Sequence, residues 1–161
     1  MKTQGTIGIY HANGKGTGCA INIELHPAHD ETDGSVFIRF ASQKTVGSDL
    51  DGTRTYPTFD WPNAITTRLT IVEIASVLEV FGGVKESIED GKGFFHRSER
   101  AALVFRMEHR IEPCSGYWIE TSRRLVDTDE TQTAGIFLTP SEAYAIALAL
   151  ESSMSRIAFG D

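Results

Sequence analysis

The chain has 161 residues, 40% of them apolar and 23% charged, which is enough for one sizeable core and leaves no run of 18 apolar residues for a membrane span. Its formal charge of −7 gives a nucleic-acid partner no support, yet rules none out, because the distribution of charge matters more than its sum. That charge is unevenly spread: residues 85–124 carry Lys or Arg at 85, 92, 97, 100, 106, 110, 123 and 124 against Asp or Glu at 86, 89, 90, 99, 108, 112 and 120, so the acidic excess lies elsewhere, notably in "HDETD" (29–33) and "DTDE" (127–130).

In chain order, the opening "MKTQGTIGIYHANGKGTG" lacks a charged-then-apolar secretory profile, and an intracellular protein of the cytoplasm or nucleoid is expected. "NGKGTG" (13–18) is glycine-rich but lacks the GK[ST] ending of an NTPase phosphate loop. "GCAINIEL" (18–25) reads as a strand. "HPAHD" (26–30) sets two His three apart beside an Asp, but Pro27 breaks any shared helical face and no further ligands follow at zinc spacing, so no metal is expected. "VFIRF" (36–40), parts of 53–59 and "AITTRL" (64–69) are further strands. Thr70 with Glu73 forms a capping box that starts a helix at Ile71, which runs to about Phe81 and stops at Gly82 and Gly83. "SIEDGKGFFHR" (87–97, with a Gly interruption), "LVFRM" (103–107), "GYWIETSRR" (116–124) and "AGIFL" (134–138) are strands again. A second capping box, Thr139 with Glu142, starts a longer helix with Pro140 in its first turn and a stripe of Ala143, Ile146, Ala147, Leu150, Met154 and Ile157. Cys19 and Cys114 have no paired spacing and are expected to be buried free thiols.

The chain thus says one thing twice. "LTIVEIASVLEVF" (69–81) and "LTPSEAYAIALAL" (138–150) match 69 positions apart at Leu, Thr and Glu, and "VFIRF" matches "LVFRM" at an offset of 67, laying Arg39 on Arg106. The predicted fold is α+β: two antiparallel four-stranded sheets and two helices in a pseudo-two-fold (ββββα)x2 repeat. The whole chain, 1–161, is expected to form one domain of two similar halves, about 15–83 and 86–159. Alternation points Val36, Ile38 and Phe40, and likewise Leu103, Phe105 and Met107, inward. It turns Phe37, Arg39, Arg106, Trp118, Glu120, Ser122 and Arg124 outward. An outward Trp beside guanidiniums is the chemistry that stacks bases and neutralises phosphates; a Trp covering a sheet edge is the plainer alternative. His96 in "FFHRS" (94–98) has no nucleophile or carboxylate assignable to it, so no catalytic set emerges and an enzyme is not expected.

"FDW" (59–61) before "AITTRLTIVEIASVLEV", then "GKGFFHRS", "AALVFRM", "GYWIETSRR" and "FLTPSEA", resembles the Whirly single-stranded-DNA-binding proteins in order and spacing from about Lys15 to Phe159. The second half is also similar to the coactivator positive cofactor four. The resemblance implies a largely sequence-tolerant single-stranded-DNA-binding protein in transcription, replication or recombination, assembled as a dimer or tetramer, with no cofactor. It also implies a phosphate contact at Lys15, where this chain has one lysine among glycines and the family has two. The candidate interface is Lys15, Arg39, Lys44, Lys92, Arg106 and Arg124 for phosphates and Phe37 and Trp118 for bases. RNA binding in the manner of the guide-RNA-annealing relatives, or a protein-interaction module using the Trp118 face, are the alternative readings.

Overall fold

The computed structural model describes residues 5–160. Its elements are β1 (Thr6–His11), β2 (Cys19–His26), β3 (Ser35–Thr45), β4 (Ser48–Leu50), β5 (Thr53–Thr55), β6 (Thr58–Phe59), β7 (Ile65–Leu69) and α1 (Ile71–Phe81), followed by β8 (Phe94–Arg97), β9 (Ala101–Arg110), β10 (Gly116–Leu125), β11 (Thr131–Leu138) and α2 (Pro140–Phe159). Every pairing is antiparallel. The first sheet runs β1-β2-β3 with β7 on the far side of β3, and the second runs β8-β9-β10-β11. The α+β repeat of four meander strands and a helix is therefore present in both halves. Between β3 and β7 the first half carries an insertion with no counterpart: β4 and β5 form a hairpin turned by Asp51 and Gly52 at φ 53° and 74°, and β6 then adds to the end of β3.

Both helices start where their capping boxes place them. The Thr70 and Thr139 side chains accept from the Glu73 and Glu142 amides, and each Glu reaches back to its Thr amide. α1 packs on α2 and also on β9 of the other half, while α2 packs on β10, β11 and on β2 of the first half. One buried apolar cluster therefore takes residues from both sheets and both helices, centred on Ile21, Phe40, Ile65, Leu69, Ile74, Phe105, Met107, Leu138, Ile146 and Ile157. A buried hydrogen bond of 2.9 Å between the Thr67 and Thr121 hydroxyls ties β7 to β10. Among the described residues, no helix is long and apolar enough to cross a membrane.

Three expectations change. The stretch 87–97 is strand only from Phe94. Ile88 is anchored in the core and the acidic residues after it bend around that anchor, Glu89 and Asp90 adopting φ 47° and 52° in a 3-10 turn. β1 lies ahead of residue 15, where the first half was expected to begin; Ile7 and Ile9 alternate with exposed Thr6, Gly8 and Tyr10. Cys114 is exposed in the loop between β9 and β10, whereas Cys19 is buried in β2 and its thiol is pushed up to about 12 by that burial.

The strand registers also correct the sequence alignment of the halves. With Leu69 laid on Leu138, the β3–β7 and β10–β11 registers carry Arg39 onto Glu120 and Phe37 onto Trp118. The β2–β3 and β9–β10 registers then carry Asn22 onto Arg106 and Glu24 onto Glu108. Arg39 sits on the third strand of its sheet and Arg106 on the second of the other, so they are not equivalent. The offset of 67 stopped one strand short because "VFIRF" and "LVFRM" share alternation, and alternation alone does not number strands.

A different pair does repeat. The β1–β2 and β8–β9 registers place His11 on His96. His11 Nε2 lies 2.8 Å from Glu142 Oε2, and His96 Nε2 lies 2.6 Å from Glu73 Oε2. Each histidine stands on the first strand of one half and bonds the capping glutamate of the other half's helix.

Candidate nucleic-acid interface

The two outer sheet faces, equivalent in backbone, are furnished differently. On the first sheet the insertion folds over the strands. Arg39 donates to the Trp61 carbonyl at 3.3 Å and its guanidinium lies 5.4 Å from the Trp61 ring centre. Tyr10 completes the cluster, 5.8 Å from the Phe59 ring and 6.4 Å from that of Trp61. Phe37 is half-buried against the His26 ring at 4.4 Å, and His26 pairs with Glu24 at 3.0 Å. Arg39 and Phe37 thus face outward as the alternation predicts, but both are engaged by their own chain.

Lys15 and Lys44 lie at one end of this sheet. The loop carrying Lys15 is held by Gln43, whose Oε1 accepts from the Asn13 and Gly18 amides at 2.9 and 3.0 Å and whose Nε2 donates to the Asn13 carbonyl at 3.0 Å. Gln43 is buried, and a buried amide with its hydrogen bonds met fixes a loop firmly. It gave no signal in the sequence, because its partners are all backbone groups, three in a loop that composition marks only as glycine-rich and one, the Thr45 carbonyl, on its own strand. Lys15 and the neighbouring Lys44 are exposed and have no ion pair among the described residues.

The second sheet's outer face is open. Trp118 lies flat on Gly135, where a Cβ would come within 2.3 Å of its ring. Its Nε1 donates to Glu120 at 3.3 Å, and the Arg110 guanidinium lies 5.0 Å from its ring centre. Arg106 pairs with Glu120 at 3.4 Å and Arg110 with Glu108 at 2.6 Å. Arg124 is paired with Asp129, brought back by the acidic turn after β10. Exposed Lys92 is followed by Gly93, which packs against the backbone of Phe105 and the Arg106 side chain. The structure therefore brings Arg106, Trp118 and Arg124 together on the second sheet with Lys92 in the turn before β8, and leaves Phe37, Arg39 and Lys44 on the first sheet with Lys15 in the loop at its end.

Residues outside the sequence-based set complete this face. Phe95 and Arg97 on β8 point outward with Ala102 and Val104 of β9 and Ser122 and Arg124 of β10. Phe95 is 62% exposed. The signal for it was present in "FFHR", since the alternation that sends Phe94 and His96 inward must send Phe95 and Arg97 outward. The cations at 106, 110 and 124 all carry carboxylate partners from their own sheet or turn, which partly neutralises the face while keeping four guanidiniums and two large rings in one plane.

No protein-family model matches the sequence, and no curated protein matches it. Among solved structures it is similar to WHY3 from Arabidopsis thaliana, with a TM-score of 0.75 and 18% identity over 98% of this chain and 90% of that one. It is similar to the plant transcriptional regulator PBF-2, with a TM-score of 0.75 and 21% identity over 98% and 84%. A guide-RNA-binding protein complex bound to its gRNA gives a TM-score of 0.66 and 13% identity over 99% and 97%. The fold is Whirly-like, as the sequence resemblance implied.

Proposed function

We propose that the protein binds single-stranded DNA with little sequence preference, using the outer face of the second sheet, and that it serves transcription regulation. The carrying observation is the gathering of Phe95, Trp118, Arg97, Arg106, Arg110 and Arg124 on one open face. Rings accept any base because every base has a π-face, at about 1 to 3 kcal/mol per stacked base, and guanidiniums engage phosphates. Lys92 extends the cationic edge, and Lys15 and Lys44 supply a second cationic patch on the first sheet. The resemblance to Whirly proteins and the fold shared with a plant transcriptional regulator favour this reading.

A second reading, RNA binding, draws on the fold shared with a guide-RNA-binding complex, and no side chain on the open face distinguishes ribose from deoxyribose. Assembly into dimers or tetramers is part of the proposal: α2 presents Tyr144 and Leu148, one turn apart, at 68% and 47% exposure. Titration of fluorescent single-stranded and duplex oligonucleotides, DNA and RNA, tests the reading, with light scattering giving the stoichiometry. Single strands are expected to bind at least about tenfold tighter than duplex, because only unpaired bases offer a free face to the rings. Equal affinity for both, or none, refutes it.

A further inference from the structure

The pseudo-two-fold supplies its own comparison for the open face. The registers lay Tyr10 on Phe95: Tyr10 pairs with Ala20 and through it with Ala41, and Phe95 pairs with Val104 and through it with Ser122. In the first half Tyr10, itself 59% exposed, is flanked from within the chain by the rings of Phe59 and Trp61, and the Trp61 ring is capped by the Arg39 guanidinium. The second half lacks the insertion that brings those rings. Phe95 accordingly has no ring partner among the described residues and stands over a trough of about 500 Å³ that reaches Val104, Ser122, Arg124 and Asp129. Arg97, two residues along the same strand and on the same face, is exposed with no ion pair among the described residues.

Resting on the function proposed above, we propose that this trough is the seat of one unpaired nucleobase. The base lies against Phe95 as Phe59 and Trp61 lie against Tyr10, and its phosphate is held by Arg97. The first half shows which chemistry this backbone geometry accepts beside an outward aromatic: planar rings with a guanidinium over one of them. A base with its phosphodiester offers the same planar surface and adds the anion that Arg97 lacks. Ser122, at the floor, gives a hydroxyl able to donate or accept and so suits any base edge. At the first sheet's equivalent position Tyr10 already has ring neighbours from its own chain, so a strand is gripped asymmetrically, with one stacking seat per chain at this level of the repeat.

The test compares equivalent residues. A fluorescein-labelled oligothymidylate is titrated into the parent, Phe95→Ala, Phe95→Trp, Arg97→Ala and Tyr10→Ala proteins, with thermal melts of each. Phe95→Ala is expected to weaken binding about five- to a hundredfold, the span of one lost stack, with an unchanged melting temperature because the side chain is mostly in water. Arg97→Ala weakens it, Tyr10→Ala does not, and Phe95→Trp retains affinity with its emission quenched on adding unlabelled oligothymidylate. Phe95→Ala binding like the parent, or an unquenched Phe95→Trp, overturns the seat while leaving single-strand binding standing. A parent that binds no oligonucleotide overturns both. A change in oligomer size on Phe95→Ala without loss of affinity shows instead that the trough is filled by another protein chain, and overturns the seat as well.

Discussion

Removing the two histidine latches should weaken the fold by equal steps. Each capping glutamate divides its oxygens between two tasks: Glu142 Oε1 accepts the Thr139 amide at 2.9 Å while Oε2 takes His11, and Glu73 Oε1 accepts the Thr70 amide at 3.0 Å while Oε2 takes His96. An ionised carboxylate only accepts, so each histidine must donate from Nε2. A hydrogen bond to a charged group contributes about 1.5 to 3 kcal/mol when fully buried. The His11 and Glu142 side chains keep 34% and 25% of their exposure, and His96 and Glu73 keep 30% and 16%, so solvent screening brings each latch to about 1 kcal/mol.

For a domain of this size that is a melting shift of about 3 °C for His11→Ala or His96→Ala and about 6 °C for the double variant, the latches sharing no partner. Glu142→Ala loses cap and latch together and should cost about twice as much as His11→Ala. The Glu142 carboxyl supplies a pH check. Burial pushes it up, but the Thr139 amide and hydroxyl and His11 together outweigh burial and hold it below its ordinary 4.5. A depressed carboxylate contributes stability that is present above its ordinary value and is lost as the pH falls through the folded one. The gap between parent and His11→Ala should therefore be full at neutral pH and close as the pH falls below the carboxyl's ordinary 4.5 and through its lowered folded value. Calorimetric melts of the four variants at neutral and acid pH decide it. A His96→Ala protein that melts like the parent while His11→Ala does not would break the symmetry on which the reasoning stands.

Two further outcomes follow from the open face. Because Glu120 and Asp129 occupy Arg106 and Arg124 as a phosphate would, Glu120→Gln with Asp129→Asn should tighten single-strand binding. It should also steepen the fall of log K with log salt towards about 0.7 per freed phosphate contact; a slope and affinity equal to the parent's would show that these carboxylates do not compete with the strand. Gly135→Ala places a methyl 2.3 Å from the Trp118 ring, which must swing off the sheet. A red-shifted tryptophan emission and about 1 to 3 kcal/mol of lost stability, read by denaturant titration, are expected, and an unchanged spectrum would contradict the Trp118 placement.

What the sequence made legible is what is local. Thr70 with Glu73 and Thr139 with Glu142 name their own partners three residues away, so both helix starts could be read directly. Alternation within single strands likewise put Val36, Ile38 and Phe40 inside and Trp118 outside. What escaped is what depends on pairing between strands. Arg39 and Arg106 matched as letters, yet their sheet neighbours differ: Asn22 and Thr66 flank Arg39, and Glu120 flanks Arg106. No single strand contains that information, because register is set by turns and by core complementarity across the sheet.

The true repeat is carried instead by residues whose likeness lies in their contacts. His11 and His96 are 85 positions apart while their glutamates are 69 apart, so no fixed offset aligns both pairs. Part of that drift accumulates between β3 and β7, where the insertion lengthens the first half. The same segment brings Phe59 and Trp61 over Tyr10 and Arg39. One insertion therefore both shifted the strand alignment of the two halves and made the two faces unequal. The half that lacks it is left with an aromatic ring and, among the described residues, a guanidinium without an ion pair, both facing solvent, and that difference from the half where Tyr10 has ring neighbours is the physical ground for expecting a ligand there.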